Sequence, residues 1–215
     1  RVVDVRHEAT AVFAADAVSR LSNGLGVAAV TAGPGLTNTI TAIKNSQMAQ
    51  MPVLILGGAT ATVLKGRGSL QDIDHLALVK TITKLAVTVK RVRDIQPILE
   101  EAILIATSDI PGPVYVELPV DILYPESIVR EWYGLKSDKQ SMPWWLTRYM
   151  DWNVNRIFKD KNRAFPRSSQ AIPKKPSSIH IKRVSAFLNS GQKPVLIIGS
   201  QAIQHQSQAE RLSEA

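Results

Sequence analysis

The amino-acid sequence predicts an α/β fold: a parallel sheet flanked by helices, followed by the start of a second α/β domain. Two observations carry that expectation. Over residues 1–125 short apolar runs alternate with helical patterns, the order in which strands joined by helical crossovers are written. Those runs are apolar on both faces rather than on alternate residues, as strands covered by helices on either side must be.

The elements follow in order. Val2–Arg6 is a strand candidate, and Ala9–Leu21, rich in Ala, is a helix. Gly26–Thr31 is the next strand. Leu36–Gln50 places Leu36, Ile40 and Ile43 at helical spacing. Val53–Gly57 and Ala86–Val89 are strands, and Val92–Thr107 sets Val92, Ile95, Leu99, Ala102 and Ile103 on one helical face. Val114–Leu118 closes the series. Beyond Leu123-Tyr124-Pro125 the pattern dissolves into a connector, and a new unit begins with Ser177–Asn189 as helix, Gly191 as its stop signal and Pro194–Gly199 as strand. The organisation expected is a first domain over 1–124, a connector over 125–176 and the start of a central α/β domain over 177–215. The chain opens without Met inside an apolar pattern and stops in a helical one (Ala209 to Ala215), so it reads as a fragment of a longer protein, its first domain cut at the N-terminus.

Charge is unevenly spread. The 215 residues hold 26 Lys/Arg and 18 Asp/Glu, a formal net charge of +8. Residues 1–125 and 184–215 are each neutral, so the whole excess lies in 126–183, together with Trp132, Trp144, Trp145 and Trp152. With 45% hydrophobic and 20% charged residues the chain is globular rather than disordered. The absence of Cys excludes disulfides, thiolate nucleophiles and thiolate metal sites. The uncharged stretch Asn45–Leu64 is interrupted by Pro52, Gly57 and Gly58 and does not read as a membrane span.

Few motifs survive inspection. His7-Glu8-Ala9-Thr10-Ala11 lacks the second His of a zinc-binding helix. No nucleophile elbow and no P-loop occurs, and His75, His180 and His205 are scattered and read as surface or core residues. Gly33-Pro34-Gly35 follows a strand and opens a helix, so its amides are candidates to face an anion or cofactor. The competing reading is a tight turn in which glycine merely supplies unusual φ. Glu8 stands at a strand-to-helix corner, on the edge where open α/β sheets build their sites. A first-turn carboxylate favoured by the helix dipole is its plainer explanation.

A longer series decides between these. Arg6-His7-Glu8, then Thr31-Ala32-Gly33-Pro34-Gly35-Leu36-Thr37-Asn38, Pro52-Val53-Leu54 with Gly57-Gly58, Leu70-Gln71-Asp72, Thr83-Lys84 and Pro111-Gly112-Pro113 through Asp121 occur in order. This series resembles the pyrimidine-binding domain of thiamine-diphosphate enzymes in the acetolactate synthase group, and Lys193-Pro194-Val195 through Gly199-Ser200 resembles the opening of that group's central domain. Leu70-Gln71 and the long Trp-bearing connector are closer to the group's animal branch of 2-hydroxyacyl-CoA lyases. Bacterial acetolactate synthases usually carry Phe-Gln-Glu at 70–72.

The resemblance implies thiamine diphosphate as cofactor, with Glu8 hydrogen-bonding the aminopyrimidine ring and favouring the tautomer that removes the thiazolium C2 proton. Gly33, Pro34 and Gly35 then let the backbone approach the cofactor, and Asn38 and Gln71 offer amides to cofactor or substrate. A carboxyl in that role is expected to be desolvated, which raises its pKa, while the helix dipole pulls the other way. The resemblance assigns diphosphate and Mg²⁺ to a Gly-Asp-Gly motif that does not occur here, so no metal ligand is assigned in this chain. FAD is left open. It further implies a homodimer or homotetramer acting on a small acyl-CoA or 2-oxo acid, and residence at the endoplasmic reticulum membrane, with cytoplasm and mitochondrion as alternatives. Two rival functions stand beside a 2-hydroxyacyl-CoA lyase: an acetolactate-synthase-type carboligase, and a nonenzymatic scaffold with a basic arm for membrane or RNA.

The arm itself carries an amphipathic pattern from Pro143 to Lys161, with Trp145, Tyr149, Trp152 and Phe158 among Arg148, Arg156, Lys159 and Lys161. Tryptophans beside cations suit a membrane interface. The alternative is a connector helix packed on its own domains. Its spacing is helical rather than that of a base-stacking platform, so nucleic acid is not expected as a partner. Arg163, Arg167, Lys174 and Lys175 with Pro166, Pro173 and Pro176 read as an extended linker, and phosphates of CoA compete with lipid for these cations.

Overall fold

Four parallel strands organise the first part of the chain: β1 (Gly26–Val30), β2 (Val53–Ala59), β3 (Leu85–Thr88) and β4 (Val114–Pro119), in spatial order β1-β2-β4-β3. The computed structural model describes residues 2–135, 142–161, 176–193, 195, 197, 199, 202 and 206–214. They fall into two units, 1–170 and 171–215.

In the register of the sheet Gly26 faces Val53, Leu54 faces Val114, and Leu85 faces Val114 from the other side. Side chains alternate between faces along a strand, and here both faces are apolar. Val53, Ile55 and Tyr115 join Val12, Ile43 and Val79 in one core. Leu54, Val114 and Val116 join Ala102, Val129 and Ile157 in the other. The first core lies under α1 (Glu8–Ser22), α3 (Ile40–Met48) and α4 (His75–Val79), the second under α5 (Ile95–Thr107), α7 (Glu126–Trp132) and α8 (Trp144–Phe158). Tyr115 reaches across to β2 at Gly57, where a Cβ would come within 2.3 Å of its hydroxyl, so only glycine fits there.

The structure redraws several predicted elements. Residues 2–6 form no strand: Val2 and Val3 are exposed, and no described strand pairs with them, whereas a strand exists only as part of a ladder. The helix expected over Leu36–Gln50 is two, α2 (Pro34–Thr37) and α3. They part where Thr39 turns both its N–H (2.9 Å) and its hydroxyl (2.6 Å) onto the Leu36 carbonyl. The helix expected from Val92 begins as a 3-10 turn over Val92–Asp94, because Pro97 has no N–H to give residue 93. The short helix α6 (Val120–Leu123) follows β4 directly, and past Pro125 the chain does not dissolve at once but forms α7.

α8 is bound to this unit by its narrow face, with Asn153, Val154, Ile157 and Phe158 buried. In the second unit α9 (Ser178–Ser190) is capped by the Ser177 hydroxyl, which accepts from the His180 N–H at 3.4 Å, and α10 (Gln206–Glu214) follows. Residues 194, 196 and 198 of the predicted strand Pro194–Gly199 lie outside the described residues, as do Arg163, Arg167, Lys174, Lys175, Pro166 and Pro173 of the predicted linker.

Candidate active site

Because the strands all run one way, the turns that follow them leave from a single edge, the usual place for a site in an open α/β sheet. Glu8 is the first residue of α1, and the His7 ring ahead of it caps the helix, accepting from the Ala9 N–H at 3.1 Å. Asn38 follows α2 on the carboxyl side of β1. Its amide Nδ2 donates to Glu8 Oε2 at 3.0 Å, drawing the start of α1 onto that edge. The Asn38 hydrogen bond, and next the backbone N–H of Glu8 itself, hold this carboxyl below the usual carboxylate range. Desolvation opposes them and loses, because Glu8 is only partly covered. The balance therefore falls on the lowering side, opposite to the rise expected of a desolvated carboxyl in this role.

The glycine turn behaves differently from the anion cradle its sequence suggests. Gly33 is buried with φ of 63°, a conformation that favours glycine, and its N–H donates inward to His75 Nε2 at 2.8 Å. Pro34 has no N–H, Gly35 donates to the Ala32 carbonyl at 3.3 Å, and Leu36 and Thr37 both donate to Gly33 at 3.0 Å. The turn's amides are thus occupied within the chain. The conformation of Gly33 is that of a tight turn, and it also brings the backbone close to a neighbour. That neighbour is Gln71, at φ of 64°, whose Cβ would lie 2.9 Å from a Cβ built on Gly33.

Gln71 also borders a cavity of about 570 Å³ at the carboxyl ends of β1, β2 and β4, lined by residues that include Thr31, Gly58, Leu64, Leu70 and Leu118. Glu8 and Asn38 form one pair, Gly33 and Gln71 another, and Pro34 and Gly35 in α2 link them. All six residues singled out in the sequence gather along the same edge.

The sequence reading missed what supports them. His75 and Glu117 are buried. Since a backbone N–H can only donate, Nε2 of His75 accepts from Gly33, and Nδ1 carries the hydrogen toward Glu117 Oε1 at 2.9 Å. The other oxygen of Glu117 receives Lys65 Nζ at 3.0 Å and the Thr88 hydroxyl at 2.5 Å. The turn after β1 is thereby tied through β4 to β3. One signal was available: Glu117 is an acid in an otherwise apolar strand, and a buried carboxylate requires partners. Asp121 is a second buried carboxylate, with Oδ2 accepting from the Thr62 N–H (3.0 Å), the Thr62 hydroxyl (2.6 Å) and the Tyr133 hydroxyl (3.0 Å). Burial, with Asp121 alongside, pushes the Tyr133 hydroxyl pKa up.

Open α/β sheets place their ligands at the carboxyl ends of the strands, which is the edge where the carboxylate–amide pair and the glycine turn lie. Residues 1–78 match the family described as thiamine pyrophosphate enzyme, N-terminal TPP binding domain. Among curated proteins the chain is 50% identical over 206 residues to 2-hydroxyacyl-CoA lyase 2 of Caenorhabditis elegans, a match covering 94% of this chain and 32% of that protein. It is 46% identical over 221 residues to 2-hydroxyacyl-CoA lyase 2 of Homo sapiens, covering 100% of the chain and 34% of the relative. Acetolactate synthase isozyme 3 large subunit of Escherichia coli is 42% identical over 121 residues, 56% of the chain and 21% of that subunit. The chain spans about a third of the length of the lyases it matches.

The residues present fit the aminopyrimidine end of thiamine diphosphate. They supply a partly open carboxylate oriented by an amide, and a cavity bordered by Gln71 on the same edge. The glycine turn, with its amides occupied, does not fit the diphosphate end.

Proposed function

We propose that the protein carrying this chain is a thiamine-diphosphate-dependent carbon–carbon lyase that cleaves a 2-hydroxyacyl-CoA into an aldehyde one carbon shorter and formyl-CoA. The observation that carries this reading is the Glu8–Asn38 hydrogen bond on the carboxyl edge. Thiamine diphosphate, when bound, supplies the electron sink for breaking or making a carbon–carbon bond beside a carbonyl. Glu8 holds the aminopyrimidine by a carboxylate hydrogen bond and Asn38 keeps that carboxylate oriented. Gly33 leaves room at the turn, and Gln71 presents its amide at the cavity mouth. The diphosphate and its Mg²⁺ are assigned to another domain on a second subunit, which makes the working enzyme a homo-oligomer.

Cleavage of acyl-CoA is favoured over ligation of 2-oxo acids because the similarity to the lyases runs through 94% to 100% of the chain, connector included, whereas that to the acetolactate synthase covers 56%. Glu8→Gln in the full-length protein is expected to lower turnover by about 100-fold or more while leaving the fold intact. Turnover within a factor of a few of the parent would remove Glu8 from the mechanism, and pyruvate condensation without acyl-CoA cleavage would shift the assignment to a carboligase.

We further propose that α8 meets the surface of the endoplasmic reticulum membrane. No described helix is long and apolar enough to cross a membrane. Support comes from the indoles of Trp144 and Trp145, exposed by 77% and 59% on a helix whose other face is buried in the domain. Replacing both by Ala is expected to reduce co-sedimentation with anionic vesicles. Unchanged sedimentation would count against the contact.

A further inference from the structure

The turn that leaves β3 and the last half of α8 enclose a recess of about 360 Å³ lined by Arg91, Arg93, Trp152, Asn155, Arg156 and Lys159. Among the described residues four cations border it and no carboxylate does. It opens beside β3, at the opposite end of the sheet order from β1 and its glycine turn.

The recess is built before any ligand arrives. Arg93 is fixed from behind by Asp160 at 2.8 Å and by Asp94 at 3.6 Å. The Arg156 guanidinium lies over the Trp152 ring, 5.4 Å from its centroid, and donates to Asn153 at 3.4 Å. Its Nε is buried without a hydrogen-bond partner among the described residues. Arg91, Arg156 and Lys159 have no carboxylate within ion-pair distance among the described residues, so their mutual repulsion is unrelieved. A buried, unmatched guanidinium N–H costs free energy until an acceptor fills it.

We propose that this recess binds a phosphate group carried by an organic molecule. Two guanidinium groups and an ammonium without carboxylate partners exceed what a single carboxylate neutralises, and planar guanidinium matches tetrahedral phosphate through paired hydrogen bonds. The volume is in the range of small-ligand sites and admits the group attached to the phosphate beside the Trp152 indole. The phosphate belongs to one of two sources, a soluble nucleotide-like compound or a phospholipid headgroup, and the recess recognises what they share.

The test measures binding of 3′,5′-adenosine bisphosphate and inorganic pyrophosphate to the full-length protein by calorimetry, alongside co-sedimentation with phosphatidylcholine vesicles containing phosphatidate. The double variant Arg91→Gln with Lys159→Gln is expected to weaken whichever probe binds by about tenfold or more. Added salt should weaken it further. The charge-preserving pair Arg91→Lys with Lys159→Arg is expected to keep binding. Saturable binding of the soluble phosphates that the Gln variant loses identifies a soluble source. Vesicle binding lost in that variant, with no soluble phosphate bound, identifies a headgroup. The proposal is overturned if no probe binds, if binding survives in the Gln variant, or if both double variants lose it alike, since charge would then not be what binds.

Discussion

His75 is the residue on which the carboxyl edge leans most heavily. Its two ring nitrogens join a backbone amide of the glycine turn to a carboxylate that has no exposure, 42 residues along the chain in each direction. Replacing it by Ala strands the Gly33 N–H and removes one of three donors from Glu117. A buried polar group left unmatched costs about 1–3 kcal/mol, and two are affected here. His75→Ala is therefore expected to lower unfolding free energy by about 2–4 kcal/mol in urea titrations, and a loss under half of that would show that the two groups find other partners. Glu8, Gly33, Gln71 and Asn38 stood out in the sequence because they belong to a run of motifs in order. His75 was not, since a lone histidine has no spacing of its own and its partners come from distant strands.

At the scale of the element, α8 shows which forces attach a connector. Arg130 on α7 reaches Asp151 at 2.7 Å and Glu126 at 3.1 Å, and Lys161 reaches Glu126 at 2.7 Å. These pairs are at least partly exposed, and such pairs are each worth about 0–1 kcal/mol. Ile157 is fully buried in the second core, and truncating such a side chain costs about 2–5 kcal/mol. The apolar contact dominates. Ile157→Ala is expected to destabilise the first unit by at least about 2 kcal/mol, and Arg130→Ala by less than about 1 kcal/mol, both read from thermal or urea unfolding. Equal effects would mean that ion pairs hold the helix. The amphipathic period of α8 was readable from sequence. Which part of its apolar surface would be buried was not, because Val154, Ile157 and Phe158 and the indoles look alike until the sheet supplies one surface to pack on. The same reasoning covers Lys84, whose Nζ caps the end of α5 by donating to the Ile105 and Ser108 carbonyls, a contact that only the folded loop creates. Burial lowers its pKa.

Across the whole molecule, the fold class was legible because strand-length runs apolar on both faces admit few arrangements besides a covered parallel sheet. Sheet order was not, since β4 enters between β2 and β3 and nothing local to Val114–Pro119 encodes its neighbours. The net charge of +8 likewise acquires a place only in three dimensions. Part of the connector's excess meets Arg91 and Arg93 from the neutral segment, and the four-cation recess draws on both.

The chain of contacts from Gly33 through His75 to Glu117, Lys65 and Thr88 has a consequence for how this protein can diverge. Neither His75 nor Glu117 can be exchanged alone without leaving a buried polar group unmatched away from water. Substitutions at 75 and 117 should therefore arrive together in the history of the family: lineages that lose the histidine should also lose the acid, and those that keep both should keep glycine at 33.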